Sequence, residues 1–285
     1  MEEDSDRHPG NAPGDWYIDR RCIDCGASHS VAPELIEHRA GQCVFVRQPV
    51  TETEIEAAWR AVLVCPTASV RRESGGSPPP DLFPHAIAAG VYRCGYNARS
   101  SYGAHAYFVE RPSGNVLIDA PRWSRRVNAF ISAHHGLDHI FLTHRDDVAD
   151  AEKYAKAFGA QVWIHERDAD AAPFANHLLR GGSVIQPLPG WQAIPVPGHT
   201  AGSVVYLLED TFLFSGDSLA WSFAKQRLVA FRDACWHSWA EQTRSLERLL
   251  EYEFEWVLAG HGGSVNLPRV SMRDQLQALV RWTSS

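Results

Sequence analysis

Ile140-Phe141-Leu142-Thr143-His144 runs from a short apolar stretch into a side chain able to bind a metal, and the same order of residues returns three more times. Ile194-Pro195-Val196-Pro197-Gly198 leads to His199, Thr211-Phe212-Leu213-Phe214-Ser215-Gly216 leads to Asp217, and Trp256-Val257-Leu258-Ala259-Gly260 leads to His261. Apolar runs of this length, closed by a small or turn-forming residue, read as buried strands, and glycine lets the backbone turn sharply beside a site. Each run therefore sets its histidine or aspartate at a strand end. Strands packed in a sheet can bring such ends together, and imidazole and carboxylate are the ligands that suit zinc, iron or manganese in an open site. A lone histidine is usually an ordinary hydrogen-bonded residue; four ligand-type residues in one repeated arrangement predict a metal centre.

Outward from these runs, further strands are predicted over residues 106–110, 115–119, 161–164 and 203–208, and helices over 124–134, 148–158, 239–252 and 271–282. Strands and helices mixed along one segment make it α/β. The stretch Glu73 to Pro84 combines Gly/Ser flexibility with a proline run that joins neither a helix nor a central strand, so a linker is placed at 73–89. Before it, short strands are expected at 16–18, 43–47 and 69–71. A helix opens with Thr51 and Glu54 in capping-box spacing, turns Ile55, Ala58, Trp59 and Val62 to one side, and ends at Cys65-Pro66. Residues 16–72 thus form a small α+β unit, residues 90–285 the larger domain, and the polar residues 1–15 a disordered lead.

Bulk composition removes several classes of function. The 285 residues carry a formal charge of -7, with no basic face in either half, which argues against nucleic-acid binding. No apolar run is long enough to cross a bilayer and the start lacks a secretion signal, so membrane insertion is not expected. Six cysteines in a chain of this size do not make a disulfide scaffold, which favours the cytoplasm and turns attention to metal or cluster chemistry.

Leu142-Thr143-His144, Pro197-Gly198-His199-Thr200, Ser215-Gly216-Asp217 and Ala259-Gly260-His261-Gly262 resemble, in order and spacing, successive motifs of the metallo-β-lactamase superfamily. That resemblance implies an αββα sandwich with a metal site at the edge of two packed sheets. The superfamily's first motif is His-x-His-x-Asp-His; here His144 keeps the first position, Asp146 or Asp147 takes the second, Asp150 stands for the aspartate after a two-residue shift, and Ala151 replaces the last histidine. The implied ligands are His144, His199 and one of the acids for one ion, with Asp217 as bridge, and Asp150, Asp217 and His261 for a second. Zinc is the implied metal, as one or two ions, with iron or manganese as alternatives. The implied activity is hydrolysis of a small ester, thioester or lactone by metal-activated water, as in the glyoxalase II branch, with Asp150 or Asp217 orienting the water or moving a proton. Replacing imidazoles by carboxylates also admits non-haem iron redox or sulfur chemistry. Ala151 admits a third reading, a pseudoenzyme with a degraded site. Asp119, after Val116-Leu117-Ile118, matches an acid that positions the site from behind.

Cys22-Ile23-Asp24-Cys25, Ala32-Pro33-Glu34 and Cys65-Pro66 resemble a single-cluster ferredoxin, and the whole chain resembles a ferredoxin-metallo-β-lactamase fusion. The resemblance implies an iron-sulfur cluster on Cys22, Cys25 and Cys65, and with it an electron-transfer partner. The family's remaining cysteine position holds Ser28, which leaves three outcomes open: a three-iron cluster, a labile four-iron cluster completed by Ser28, His29 or Cys43, or loss of the cluster.

Overall fold

Asn11 organises the first segment of the chain. The computed structural model describes residues 6–284; the rest of the predicted lead lies outside the described residues. The Asn11 carboxamide accepts the backbone N–H groups of Ile18 and Phe45 and donates to the carbonyls of His8 and Ile18. Residues 6–15 are therefore not a disordered lead: one amide satisfies two separate strands, a role that composition does not reveal. The small domain then runs β1 (Trp16–Ile18), α1 (Ala27–Val31), β2 (Ile36–Arg39), β3 (Gln42–Phe45), α2 (Glu52–Val64) and β4 (Val70–Arg72). Strands β1 and β4 pair antiparallel, as do β2 and β3. Helix α2 starts with the predicted capping box, Thr51 and Glu54 each satisfying the other's backbone N–H. Its buried stripe is Ala58, Trp59, Ala61 and Val64, while Ile55 is exposed, so the helix is rotated from the predicted face.

The larger domain begins inside the predicted linker, with β5 (His85–Ala88) followed by β6 (Val91–Arg93), β7 (Tyr107–Val109), β8 (Val116–Ile118), α3 (Arg125–Ala133), β9 (His139–Phe141), α4 (Ala151–Phe158), β10 (Gln161–His165) and β11 (His177–Leu179). These strands form one sheet in the order β11-β10-β9-β8-β7-β6-β5, parallel from β11 to β8 and antiparallel beyond. The edge strand β5 has exposed His85 and Ala86, so it shows none of the apolar alternation by which strands are recognised. The second sheet, in the order β12-β13-β14-β17-β18, holds β12 (Trp191–Pro195), β13 (Val204–Leu208) and β14 (Phe212–Gly216), then β17 (Trp256–Ala259) and β18 (Val265–Asn266). Between β14 and β17 lie the hairpin β15 (Ala220–Ser222) and β16 (Arg227–Val229) and helix α5 (Trp239–Arg248); α6 (Arg269–Thr283) closes the chain.

Alternation of side chains along the strands produces the layers. In β13, Val204, Tyr206 and Leu208 point between the sheets, where they meet Phe141, Trp191, Phe214 and Leu258. Val205 and Leu207 point the other way, onto Leu246 of α5 and Met272, Leu276 and Leu279 of α6. Ile140 and Leu142, flanking Phe141, turn outward to Val127 and Ile131 of α3 and Tyr154 of α4. The result is the expected αββα sandwich. Phe141 is fully buried at its centre, stacked on Tyr206 at 4.8 Å between ring centres and edge-on to Trp191 at 5.3 Å.

Phe141→Ala removes that ring from a rigid double layer and should cost about 3–5 kcal/mol. Urea denaturation of the variant is expected to show a clearly lowered midpoint; an unchanged midpoint would mean that the sheets do not pack through this residue.

Candidate metal centre

Four strand ends open at one edge of the sandwich, and each carries one of the predicted ligands. Leu142 to His144 follow β9, and the backbone of Thr143 is anchored by Asp119 at the end of β8. The Asp119 carboxylate accepts the Thr143 N–H at 2.8 Å and the Thr143 hydroxyl at 2.9 Å. With its only proton so committed, Thr143 Oγ1 must accept from His144 Nδ1, 2.9 Å away, which leaves His144 Nε2 as a bare lone pair. His199, beyond β12, is fixed in the same sense: its Nδ1 donates to the Ala234 carbonyl at 2.6 Å, and its N–H is held by Gln242 Oε1 at 2.7 Å. Both Nε2 atoms are buried without a hydrogen-bond partner.

Asp217 follows β14, and its Oδ2 lies 3.7 Å from His144 Nε2 and 3.5 Å from His199 Nε2. Asp146 brings its own Oδ2 to 3.3 Å from His199 Nε2 and 3.9 Å from His144 Nε2. Bonds of about 2.0–2.2 Å to a tetrahedral zinc would set nitrogen and oxygen donors about 3.4 Å apart, close to this arrangement. On the other side of Asp217 stand His261, whose Nδ1 is 2.9 Å from Asp217 Oδ1, and the buried Asp147, neither of whose oxygens has a partner. His144, His199 and Asp217 form one group of mutually close donor atoms, and Asp147, Asp217 and His261 another. Asp217 belongs to both.

The electrostatics reflect this crowding. Burial drives the His144 imidazole down to about 4 and holds the Asp147 carboxyl well above the usual carboxylate range, the latter with help from Asp217, Asp119 and Asp146. Burial likewise raises Asp119 to about 8. Asp217 moves the other way: burial opposes its charge, but His261, His144 and His199 together outweigh that and lower it. His261 lies between two pure acceptors, Asp217 and the Tyr102 carbonyl 3.3 Å from its Nε2, and is raised in spite of burial. Glycine makes the close approach possible. A Cβ on Gly260 would stand 2.8 Å from Asp217 Oδ1 and 3.0 Å from Asp147 Oδ2, and one on Gly198 would strike Gln242 Oε1 at 2.3 Å.

Asp150 is not part of this centre. Its carboxylate accepts the Trp123 N–H at 2.6 Å and pairs with Lys153 at 2.8 Å, at the start of α4. The tight 3-10 turn 145–147 already delivers Asp146 and Asp147, so no shifted aspartate is needed. Trp236 is exposed, with its ring 6.4 Å from that of His199, whereas Trp221 is core and Trp239 packs on Trp282. Two supporting residues escaped the sequence reading. Gln242 ties His199 to the Ser218 carbonyl, and Asp168 accepts from Arg145, Thr200 and Gly202, joining the turns that carry the two histidines. Their partners are backbone groups or hydroxyls far away in sequence, which leave no local pattern.

In the small domain, Cys25 lies within electrostatic reach of both Cys65 and Cys22, and burial pushes its thiol up to about 12. Ser28 is buried with its hydroxyl turned to the Ala61 carbonyl at 3.5 Å. A four-iron cluster takes four thiolates; the family's positions supply three here. Cys43 lies instead beside Cys22, and their hydrogen bond lowers the Cys22 thiol to about 6.

Comparison with known proteins agrees with this architecture. Residues 92–281 match the family described as the metallo-beta-lactamase superfamily, and residues 18–72 match the 4Fe-4S single cluster domain of ferredoxin I. Among curated proteins, a hydroxyacylglutathione hydrolase of Rhodobacter capsulatus is 33% identical over 108 residues, covering 36% of this chain and 42% of that protein. The corresponding enzyme of Acidiphilium cryptum is 32% identical over 120 residues, covering 40% and 49%. The chain thus spans less than half the length of these relatives. The uncharacterized protein YobT of Bacillus subtilis is 27% identical over 219 residues, covering 62% of this chain and 90% of that one. Among solved structures, the VMB-1 protein superposes with a TM-score of 0.54 at 18% identity, covering 70% of this chain and 97% of that one. An archaeal metallo-beta-lactamase superfamily protein from Sulfolobus tokodaii gives 0.50 at 19% identity, covering 69% and 86%. At these identities the superpositions speak for the fold, and the family match speaks for descent: this chain belongs to the metallo-β-lactamase superfamily.

Proposed function

We propose that the protein is a metal-dependent hydrolase of a small thioester or related ester, with hydroxyacylglutathione-type thioesters as the first substrates to test. The observation that carries this reading is the set of buried, unpartnered donor atoms, His144 Nε2, His199 Nε2 and both oxygens of Asp147, gathered around Asp217. Buried polar atoms without partners are costly, and bound cations would satisfy them. His144, His199, Asp146 and Asp217 would hold one ion; Asp147, Asp217 and His261 would hold a second. A bound divalent ion supplies a water acidic enough to attack an acyl carbonyl near neutral pH. The chain's own residues then set the geometry. Asp119 through Thr143, and Ala234 through its carbonyl, lock the tautomers of the two histidines. The glycine turns let strand ends approach, and Asp217 orients what lies between the two groups of donors. Asp150, engaged by the Trp123 N–H and Lys153, takes no part in the proposed reaction. The curated hydroxyacylglutathione hydrolases support the substrate class. Six free cysteines fit a cytoplasmic location, and among the described residues no helix is long and apolar enough to cross a membrane.

A second reading has its own support, since three of the six proposed ligands are carboxylates, a harder set than all-imidazole sites and one that also suits iron or manganese. Metal content of the purified protein separates the two: zinc with thioester hydrolysis supports the first, iron or manganese without hydrolysis the second.

His199→Ala is expected to lose metal and hydrolytic activity together while keeping the thermal midpoint of the metal-free protein; full activity in that variant would rule this site out. Gly260→Ala, which forces a methyl group between Asp217 and Asp147, should weaken metal binding at least tenfold by equilibrium dialysis with the circular dichroism spectrum unchanged. Wild-type affinity would show that Asp147 and Asp217 do not share an ion.

A further inference from the structure

The loop Cys22 to Cys25 folds back so that the Asp24 N–H reaches the Cys22 sulfur at 3.4 Å, a turn made possible by left-handed backbone at Asp24 (φ 56°) and Gly26 (φ 77°). Across from it, β2 and β3 present His38 and Cys43, which are direct partners in the β-ladder. His38 Nδ1 is 2.8 Å from Asp24 Oδ1, and Cys43 Sγ is 3.6 Å from that oxygen and 3.8 Å from the imidazole nitrogen. Asp24, His38 and Cys43 thus form a third group of mutually close donors, well apart in chain and chemistry from the hydrolytic centre.

We propose that this corner holds a single zinc ion on Asp24, His38 and Cys43, in place of the iron-sulfur cluster. With bonds of about 2.3 Å to sulfur and about 2.0–2.2 Å to nitrogen and oxygen, tetrahedral zinc sets sulfur about 3.6 Å from the lighter donors. The two measured sulfur distances already meet that requirement. Only the Asp24 to His38 pair is closer than the approximately 3.4 Å expected of nitrogen and oxygen donors, because the two hydrogen-bond directly, and a small side-chain rotation opens it. Thiolate, imidazole and carboxylate are all donor types that zinc takes. The departures from the ferredoxin pattern then explain one another. Ser28 removes a cluster thiolate and is turned to Ala61, and Cys43 adds a thiol beside Asp24 and His38, at a place the pattern does not use. Cys65 is occupied within its own turn, its sulfur accepting the Ser69 N–H at 3.2 Å. A zinc here would staple β2, β3 and the 22–25 loop, which suits a domain of this size with a small core.

The test is cobalt substitution of the full-length chain combined with zinc, iron and acid-labile sulfide analysis. The hydrolytic centre has no cysteine, so thiolate-to-cobalt charge transfer in the near ultraviolet reports only on this corner. Intact protein is expected to show that band, and Cys43→Ser and His38→Ala each to lose most of it together with one zinc per chain. Cys65→Ser should change neither. His38 lies at the exposed rim, so its variant remains informative should Cys43→Ser fail to fold. Iron and sulfide in equal amounts that disappear in Cys65→Ser, or a thiolate band that survives both other variants, would overturn the proposal.

Discussion

Asp217 is the carboxylate that both groups of close donor atoms share. Its carboxylate sits where four strand ends meet, lowered by three imidazoles and pressed against Asp147, whose own oxygens find no donor. Much of the domain is arranged to keep these groups close: glycine at 198, 216 and 260, the Asp119 to Thr143 to His144 relay, and the Gln242 bridge between His199 and Ser218. Buried polar atoms without partners are costly to a fold, and His144 Nε2, His199 Nε2 and the Asp147 oxygens are the atoms that the proposed cations would satisfy.

Residues 102–105 form one of the contacts between the two domains; another sets the ring of His29 edge-on to Phe223, 5.7 Å between centres. Tyr102 donates its hydroxyl to the Ile23 carbonyl in the cysteine loop, while its backbone carbonyl accepts from His261. Nearby, Ser30 bonds the ring of His105, whose backbone N–H is held by the Gly260 carbonyl. Gly103 lets this segment pass against Cys25, where a Cβ would come within 2.8 Å of the sulfur. These contacts run from the cysteine loop to the turn that carries His261 within a few residues.

Much of this was legible beforehand, and the failures have physical causes. Residues whose role follows from local pattern could be read: the apolar runs before His144, His199, Asp217 and His261, the capping box at Thr51, the alternation that makes two sheets. Asp150 was misplaced because motif spacing was carried over without its turn, and a tight 3-10 turn brings Asp146 and Asp147 to the two sides of the site by itself. Strand β5 was hidden by exposure, and Asn11 and Asp168 by partners distant in sequence. Pattern reports what a residue's neighbours in sequence require; the missed residues answer to neighbours in space.

Crystals soaked in zinc and measured on both sides of the zinc absorption edge test the central claim most directly. The account predicts an anomalous peak at the edge of the sandwich within about 2.0–2.2 Å of His144 Nε2, His199 Nε2 and Asp217. Ordered side chains at these positions with no peak between them, or a peak only elsewhere in the molecule, would contradict it.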